Sequence, residues 1–310
     1  MSHPKRLNPL LRGLVFLGVF IFVVFDVSLI LAAVSLVMTG NLKMFYTSDL
    51  SSPSALLDMI IEVAAAIAGY LVVVYGMEQR SHPFEFRLAR CKGLILGGVI
   101  GFGAIAICVG ILALTGNYRV LGFNSNYYHT WRDIITIGIC AGVAEEIMMR
   151  GMLLRLVEEW LGSWGALVVS ALVFGLMHLG NEDGSLWGGL AIAIEDGILA
   201  AALYFVTRSL WVCIGEHIMW NIAEGPIFGS IVSGNGRQDS WLNVKWSGSD
   251  IMTGGSFGLE ASIVPVILLG AAGLALMVYA QCKGLLVRPS WVRKRMVIAE
   301  DTRKSIFPES

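Results

Sequence analysis

Apolar residues in this chain gather into long blocks separated by short polar stretches, near 14–38, 54–77, 93–115, 131–154, 164–180, 188–206, 210–224 and 258–282. A helix needs roughly 20 such residues to cross the hydrocarbon of a bilayer. Two blocks, 164–180 and 210–224, fall below that length, so they are expected to tilt little or to continue into their flanks. The pattern predicts an all-α, multi-pass integral membrane protein with about eight transmembrane helices. Three regions follow. Residues 1–130 carry helices one to three, 131–228 carry helices four to seven, and 229–310 hold an external loop, the last helix and a basic tail.

Composition agrees: 56% hydrophobic residues, 15% charged residues and a mean hydropathy of +0.72 exclude a soluble domain. The bilayer is the expected surrounding, and no nucleic-acid partner is expected. The first block follows Lys5, Arg6 and Arg12, as in a signal peptide, but it exceeds an h-region of roughly 7–15 residues, so it reads as a retained anchor. Cys91, Cys108, Cys140, Cys213 and Cys282 form no CxxC pair and describe neither a disulfide framework nor a zinc cluster.

Net charge is −1, and the placement of the basic residues says more. They cluster at the N-terminus, at Arg80, Arg87, Arg90 and Lys92, and in the tail at Lys283, Arg288, Arg293, Lys294, Arg295, Arg303 and Lys304. The positive-inside rule places all three clusters in the cytoplasm, which an even number of crossings allows. The expected location is the cell membrane, with both termini cytoplasmic. The sparsely basic loop at 39–53 and the polar stretch 229–257 then lie outside.

Two patterns invite a chemical reading that their context removes. Gly93, Gly97, Gly101 and Gly103 sit inside an apolar block at small-xxx-small spacing, the mark of a helix-packing face. Gly254-Gly255-Ser256-Phe257-Gly258 matches GxSxG, but that elbow needs a strand-to-helix turn in an α/β sheet, and here it precedes a membrane helix.

Ionisable groups inside a membrane cost about 2.5–3.5 kcal/mol each, so they usually pair or work. Glu145, Glu146 and Arg150 share the fourth block. Glu146 and Arg150 are four apart and share a helix face, while Glu145 is turned about 100° away. Glu146 is thereby neutralised, and Glu145 is left to face a cavity and act on water; the alternative is a charge cluster that locks two helices. The fifth block ends in Phe174-Gly175-Leu176-Met177-His178, and the seventh carries His217 and Asn221, also four apart and able to aim at one point. Measured from the expected cytoplasmic ends, Glu145, His178 and Asn221 lie at about 13–22, 21 and 16 Å, a shared layer of the membrane.

The segments AEEIMMRG, VFGLMHLGN and LWVCIGEHIMWNIAEG resemble the three motifs, EExxxR, FxxxH and HxxxN, of the CPBP family of intramembrane proteases, named for CAAX-prenyl endopeptidases and bacteriocin processing. The resemblance covers about residues 129–229, and TGGSFGLEAS also looks like the stretch before the last helix of bacterial members, with no role attached to Glu260. It implies peptide-bond hydrolysis of a protein or peptide substrate within the membrane, by a catalytic core of four helices at 131–228. Carried onto this chain, it gives Glu145 as general base assisted by His178, and His217 and Asn221 as donors to the oxyanion. Arg150 orients Glu146. Two histidines and a carboxylate also permit a zinc site of His178, His217 and Glu145, a metalloendopeptidase-like arrangement. No HExxH is present, and Asn221 suits an oxyanion donor better than a zinc ligand, so metal-free catalysis is favoured.

Two other classes stand beside the protease. Asp26, Glu62, Glu195, Asp196, Glu216 and Glu224 would suit a proton-coupled transporter, although no paired half-repeats are visible. A non-catalytic membrane scaffold would use the motif residues only to hold helices. A cysteine protease using Cys213 and His217 leaves the acidic pair unexplained. Whether the substrate is a prenylated CAAX protein is not fixed by any motif, and Trp241 and Trp246 in the external stretch read as interfacial anchors or a substrate gate.

Overall fold

The computed structural model of the chain describes residues 7–40, 55–125, 130–236 and 239–306. Lys5, Arg6 and most of the sparsely basic loop at 39–53 lie outside the described residues. Helix α1 spans Pro9–Thr39, beginning before the apolar block because Asn8 caps it. The Asn8 side chain accepts from the Leu10 N–H at 2.9 Å, Pro9 opens the helix, and Gly40 closes it in the left-handed conformation. There follow α2 (Ala55–Met77), α3 (Gly93–Leu114), β1 (Tyr118–Phe123), α4 (Thr130–Gly180), α5 (Leu186–Thr207), α6 (Leu210–Ile222), β2 (Leu242–Trp246), α7 (Ile263–Cys282) and α8 (Ser290–Ile306).

Among the described residues, six of these helices are long and apolar enough to cross a membrane, so the chain is a multi-pass helical membrane protein. Helix α4, at 51 residues, accounts for two of the expected blocks. Gly162 breaks it with φ 73° and ψ 176°. The Arg150 guanidinium lies 5.0 Å from the centre of the Phe174 ring, although 24 residues of straight helix would separate them by about 36 Å. The two arms therefore fold back on each other. Only glycine suits the corner, because a Cβ on Gly162 would stand 2.7 Å from both Pro289 N and Val287 O. Helix α6 is short, as expected, but it is buried among its neighbours and continues into a π-helical turn at Ala223–Ile227.

Helices α3 and α6 lie against each other in parallel. Gly93 faces Val212, Gly97 faces Val212 and Glu216, and Gly101 faces Glu216 and Trp220, so both helices advance together. A Cβ on Gly97 or Gly101 would run into backbone carbonyls of α6, which is the physical content of the small-residue pattern. Gly103 corrects part of that expectation: nothing lies within 4 Å of a Cβ there, so it is no part of the contact.

The strands were not foreseen. β1 and β2 pair antiparallel, Tyr118 opposite Trp246 and Phe123 opposite Leu242, with a bulge between Val120 and Gly122. This ribbon sits at the end of the bundle where α3 terminates. The Gly254–Gly258 turn lies at that end too, with Gly254, Gly255 and Gly258 at positive φ and Ser256 exposed, in a loop rather than at a strand-to-helix elbow.

The opposite end collects the described members of the basic clusters. Arg12 on α1 meets Glu78 at 2.6 Å, Arg155 meets Glu78 at 2.7 Å, Arg80 meets Glu85 at 2.6 Å and Arg208 meets Glu158 at 2.5 Å. Arg90 donates to the Arg208 carbonyl at 2.9 Å, and Val287 and Ser163 exchange hydrogen bonds of 2.8 and 2.9 Å. Burial alone would raise the carboxyl groups of Glu78 and Glu85. Their arginine partners outweigh it, Arg155 and Arg12 for Glu78 and Arg80 for Glu85, and hold both below the ordinary carboxylate range.

Candidate active site

Glu145 and Glu146 sit on a short α-helical turn, Gly142–Glu146, between π-helical stretches at Ile134–Ala141 and Ile147–Leu154. Such widened turns inside helices recur at functional sites because they re-aim side chains. Gly142 brings α6 close: a Cβ there would stand 2.9 Å from Ile218 Cγ1 and 3.0 Å from Ile218 N. That approach delivers His217, the preceding residue, to the carboxylate pair.

Glu146 is fully buried, and its Oε1 accepts from Arg150 at 2.5 Å, the pair expected from the i, i+4 spacing. The same Oε1 meets His217 Nδ1 at 3.0 Å. Arg150 then reaches across to α5, donating to the Asp196 carbonyl at 3.3 Å and to its Oδ2 at 3.4 Å. Its guanidinium lies over Phe174 on the second arm of α4. One cation thus ties together both arms of α4 and the π-helical turn Ala193–Gly197 of α5.

Glu145 has different surroundings. Its side chain is 24% exposed, its Oε2 has no hydrogen-bond partner, and that oxygen lies 3.8 Å from His217 Nε2. His217 therefore stands between the two carboxylates, Nδ1 on Glu146 and Nε2 towards Glu145. A carboxylate only accepts, so Nδ1 carries a proton; Nε2 accepts when the ring is neutral and donates when it is protonated.

His178 closes the second arm of α4. Its Nδ1 donates to the Phe174 carbonyl at 2.8 Å, which leaves Nε2 as the working nitrogen. The Phe174 ring lies 4.7 Å from His178 and 5.9 Å from His217, edge-on to both, so the two imidazoles flank one aromatic spacer. Asn221 donates from Nδ2 to the Ile137 carbonyl at 2.8 Å and retains one N–H and its carbonyl oxygen. The structure thus brings Glu145, Glu146, Arg150 and His217 into one contact network and joins His178 to it through Phe174. It fixes Asn221 one turn along α6 on the π-helical backbone.

Among the described residues no three His, Cys, Asp or Glu side chains are arranged to hold a metal ion. His178, His217 and Glu145 therefore do not fit a three-ligand zinc set as they stand. The Cys213 thiol lies against the Ser209 and Ala200 carbonyls, at 3.5 and 3.8 Å, in a fully buried position.

Two buried acidic positions beside the site escaped the motif-level reading. Asp196 was visible only as one membrane carboxylate among several, and its partner lies 46 residues away, beyond any local periodicity. Glu260 had no role from sequence. It is buried, and it accepts from Trp220 Nε1 at 3.1 Å and from Ser233 N at 2.7 Å.

A bundle of membrane-crossing helices with paired carboxylates and two histidines gathered inside it has the parts of a membrane-embedded hydrolase. Residues 128–223 match the family described as Rce1-like, type II CAAX prenyl endopeptidase Rce1-like, which is the CPBP family that the three motifs resemble. The matched segment contains Glu145, Glu146, Arg150, His178, His217 and Asn221, and it implies CAAX-type intramembrane protease activity. A comparison with curated proteins finds no match.

Proposed function

We propose that this protein is an intramembrane endopeptidase that hydrolyses a peptide bond of a membrane-associated or prenylated substrate, using water activated by Glu145. One observation carries the reading: the buried Glu145 Oε2 has no hydrogen-bond partner and lies 3.8 Å from His217 Nε2, on a side chain that is itself 24% exposed. A water admitted beside them would give that oxygen its missing partner and set the nucleophile next to the base.

Glu145 takes a proton from this water as the oxygen attacks the scissile carbonyl carbon, and returns it to the leaving amine as the C–N bond breaks. His178 assists through its free Nε2. His217, when protonated, and the remaining Asn221 N–H donate to the oxyanion of the tetrahedral intermediate, a form of stabilisation whose loss commonly costs about 10²–10³ in rate. Glu146, Arg150 and Asp196 touch no reacting atom in this scheme; they hold the His217 ring and the carboxylate turn in place. The basic end of the bundle faces the cytoplasm in the cell membrane, with both termini on that side, as the positive-inside rule directs.

The test compares peptide termini in membranes from cells making wild type or the Glu145→Gln variant at equal abundance, alongside cleavage of a prenylated CAAX reporter peptide. New termini that appear only with the wild type are the expected result. Equal termini and an uncut reporter in both would overturn the proposal.

A further inference from the structure

The segment before α7 contributes a residue that no motif assigns. Glu260 lies in a short turn, Leu259–Ala261, with 3% of its surface exposed, and its two oxygens are both engaged. Oε1 accepts from Trp220 Nε1 at 3.1 Å and from the Ser233 hydroxyl at 3.2 Å; Oε2 accepts from the Ser233 N–H at 2.7 Å. Trp220 belongs to α6, three residues beyond His217 and next to Asn221. Ser233 carries the contact onward: its carbonyl accepts from Asn181 Nδ2 at 2.6 Å, and the Asn181 N–H donates to the His178 carbonyl at 3.3 Å. The turn holding His178 is therefore joined to the helix holding His217 and Asn221 by one continuous hydrogen-bonded path through Glu260.

Neighbouring contacts fix the same path in place. Gly234 N donates to the Phe257 carbonyl and Asp183 N to the Gly234 carbonyl, each at 2.8 Å. Ser233 itself is held at φ 53°, a left-handed conformation that a serine keeps only where its surroundings impose it. That conformation accompanies a Ser233 N–H directed at the Glu260 carboxylate. A carboxyl group whose two oxygens serve three donors in a buried site sets their mutual geometry.

We propose that Glu260 is a positioning residue for the active site: its carboxylate clamps the end of the second arm of α4 to α6 and so fixes His178 relative to His217 and Asn221. The effect on turnover rests on the protease reading above; the clamp itself does not. Glu260→Gln keeps the size of the side chain but replaces one acceptor oxygen with a donor, so Trp220 or Ser233 must lose its bond. Trp220→Phe removes the indole N–H together with part of a buried ring, so the effect it shares with Glu260→Gln is the one that reports on the bond.

The experiment uses the full chain in lipid nanodiscs as wild type, Glu260→Gln, Trp220→Phe and the double variant. Hydrogen exchange is followed in the 176–184 and 217–223 segments, and kcat and KM are measured on any substrate the wild type cleaves. Faster exchange in both segments together, with 93–110 unchanged, is expected. With it comes a fall in kcat of about 10²-fold at near-constant KM, as slight misplacement of catalytic groups produces. The double variant should lose no more than the worse single one, because both changes cut one path. Unchanged exchange in 176–184 in Glu260→Gln would overturn the clamp. Faster exchange with wild-type kcat would overturn the positioning role and leave only a brace. Coupled exchange in a wild type that cleaves nothing would uphold the clamp and count against the protease reading instead.

Discussion

At the scale of single residues, Arg150 meets much of the cost of placing charge inside the bundle. Its 1% exposed side chain serves Glu146, the Asp196 carboxylate and the Phe174 face at once. Arg150→Leu strands two acidic groups, and loss of one partner from a buried pair costs about 3–5 kcal/mol. The variant is expected to aggregate or to melt well below the wild type in detergent. Arg150→Lys keeps the charge but not the planar fork, so it should fall between the two. Wild-type melting of Arg150→Leu would show the pairing to be unimportant. The Glu146 half of this arrangement was legible, because i, i+4 spacing on a helix fixes which side chains meet. The Asp196 half was not, because only the tertiary fold brings α5 to that point. The same limit applies to α6: equal spacing put His217 and Asn221 on one face, but the approach at Gly142 decides that His217 meets two carboxylates while Asn221 meets the Ile137 carbonyl.

Between elements, backbone proximity rather than polarity holds α3 to α6. Gly101→Val, like Gly97→Val, would force a side chain into the carbonyls of α6, and since α6 carries His217 the variant should lose activity as well as stability. Gly103→Ala, with open space around it, should express and cleave as the wild type does. Equal behaviour of Gly101→Val and Gly103→Ala in expression and turnover would contradict this packing. Most of the helices could be read from the chain because a membrane segment is a local property of length and hydropathy. The β1–β2 ribbon could not, since its strands are over a hundred residues apart and each is only a few residues long. The fold-back at Gly162 was implied by two separate apolar blocks, but its sharpness depends on the later segment around Val287 and Pro289 packing against that glycine.

For the whole molecule, the basic end behaves as a collar that joins α1, α2 and α4. Arg12, 1% exposed on a helix most of whose residues are exposed, reaches both Glu78 and Glu159. Glu78 and Glu85 have depressed native pKa values, so their contribution to stability is complete above the ordinary carboxylate range. It is lost as pH falls through that range and below, where the carboxylates protonate and the arginines are left without counter-charges. Melting temperature in detergent should therefore hold at neutral pH and drop below about pH 4.5. The Glu78→Gln variant should start lower and show a shallower acid limb, and an unchanged limb would place the acid sensitivity elsewhere.

The fold-back of α4 also bears on how the chain enters the bilayer. Its first arm brings Glu145, Glu146 and Arg150, and an ionisable group near the centre of a lone helix opposes insertion by roughly 2.5–3.5 kcal/mol. Arg150 pairs with Glu146 within the arm, but its further partners lie later in the chain, Phe174 on the second arm and Asp196 on α5. The first arm is thus a poor substrate for stepwise release into lipid. It should linger at the insertion machinery until the corner at Gly162 has formed and α5 has emerged. Nascent chains truncated before Asp196 are then expected to remain crosslinkable to the translocation channel, whereas chains extended past α5 move into the lipid.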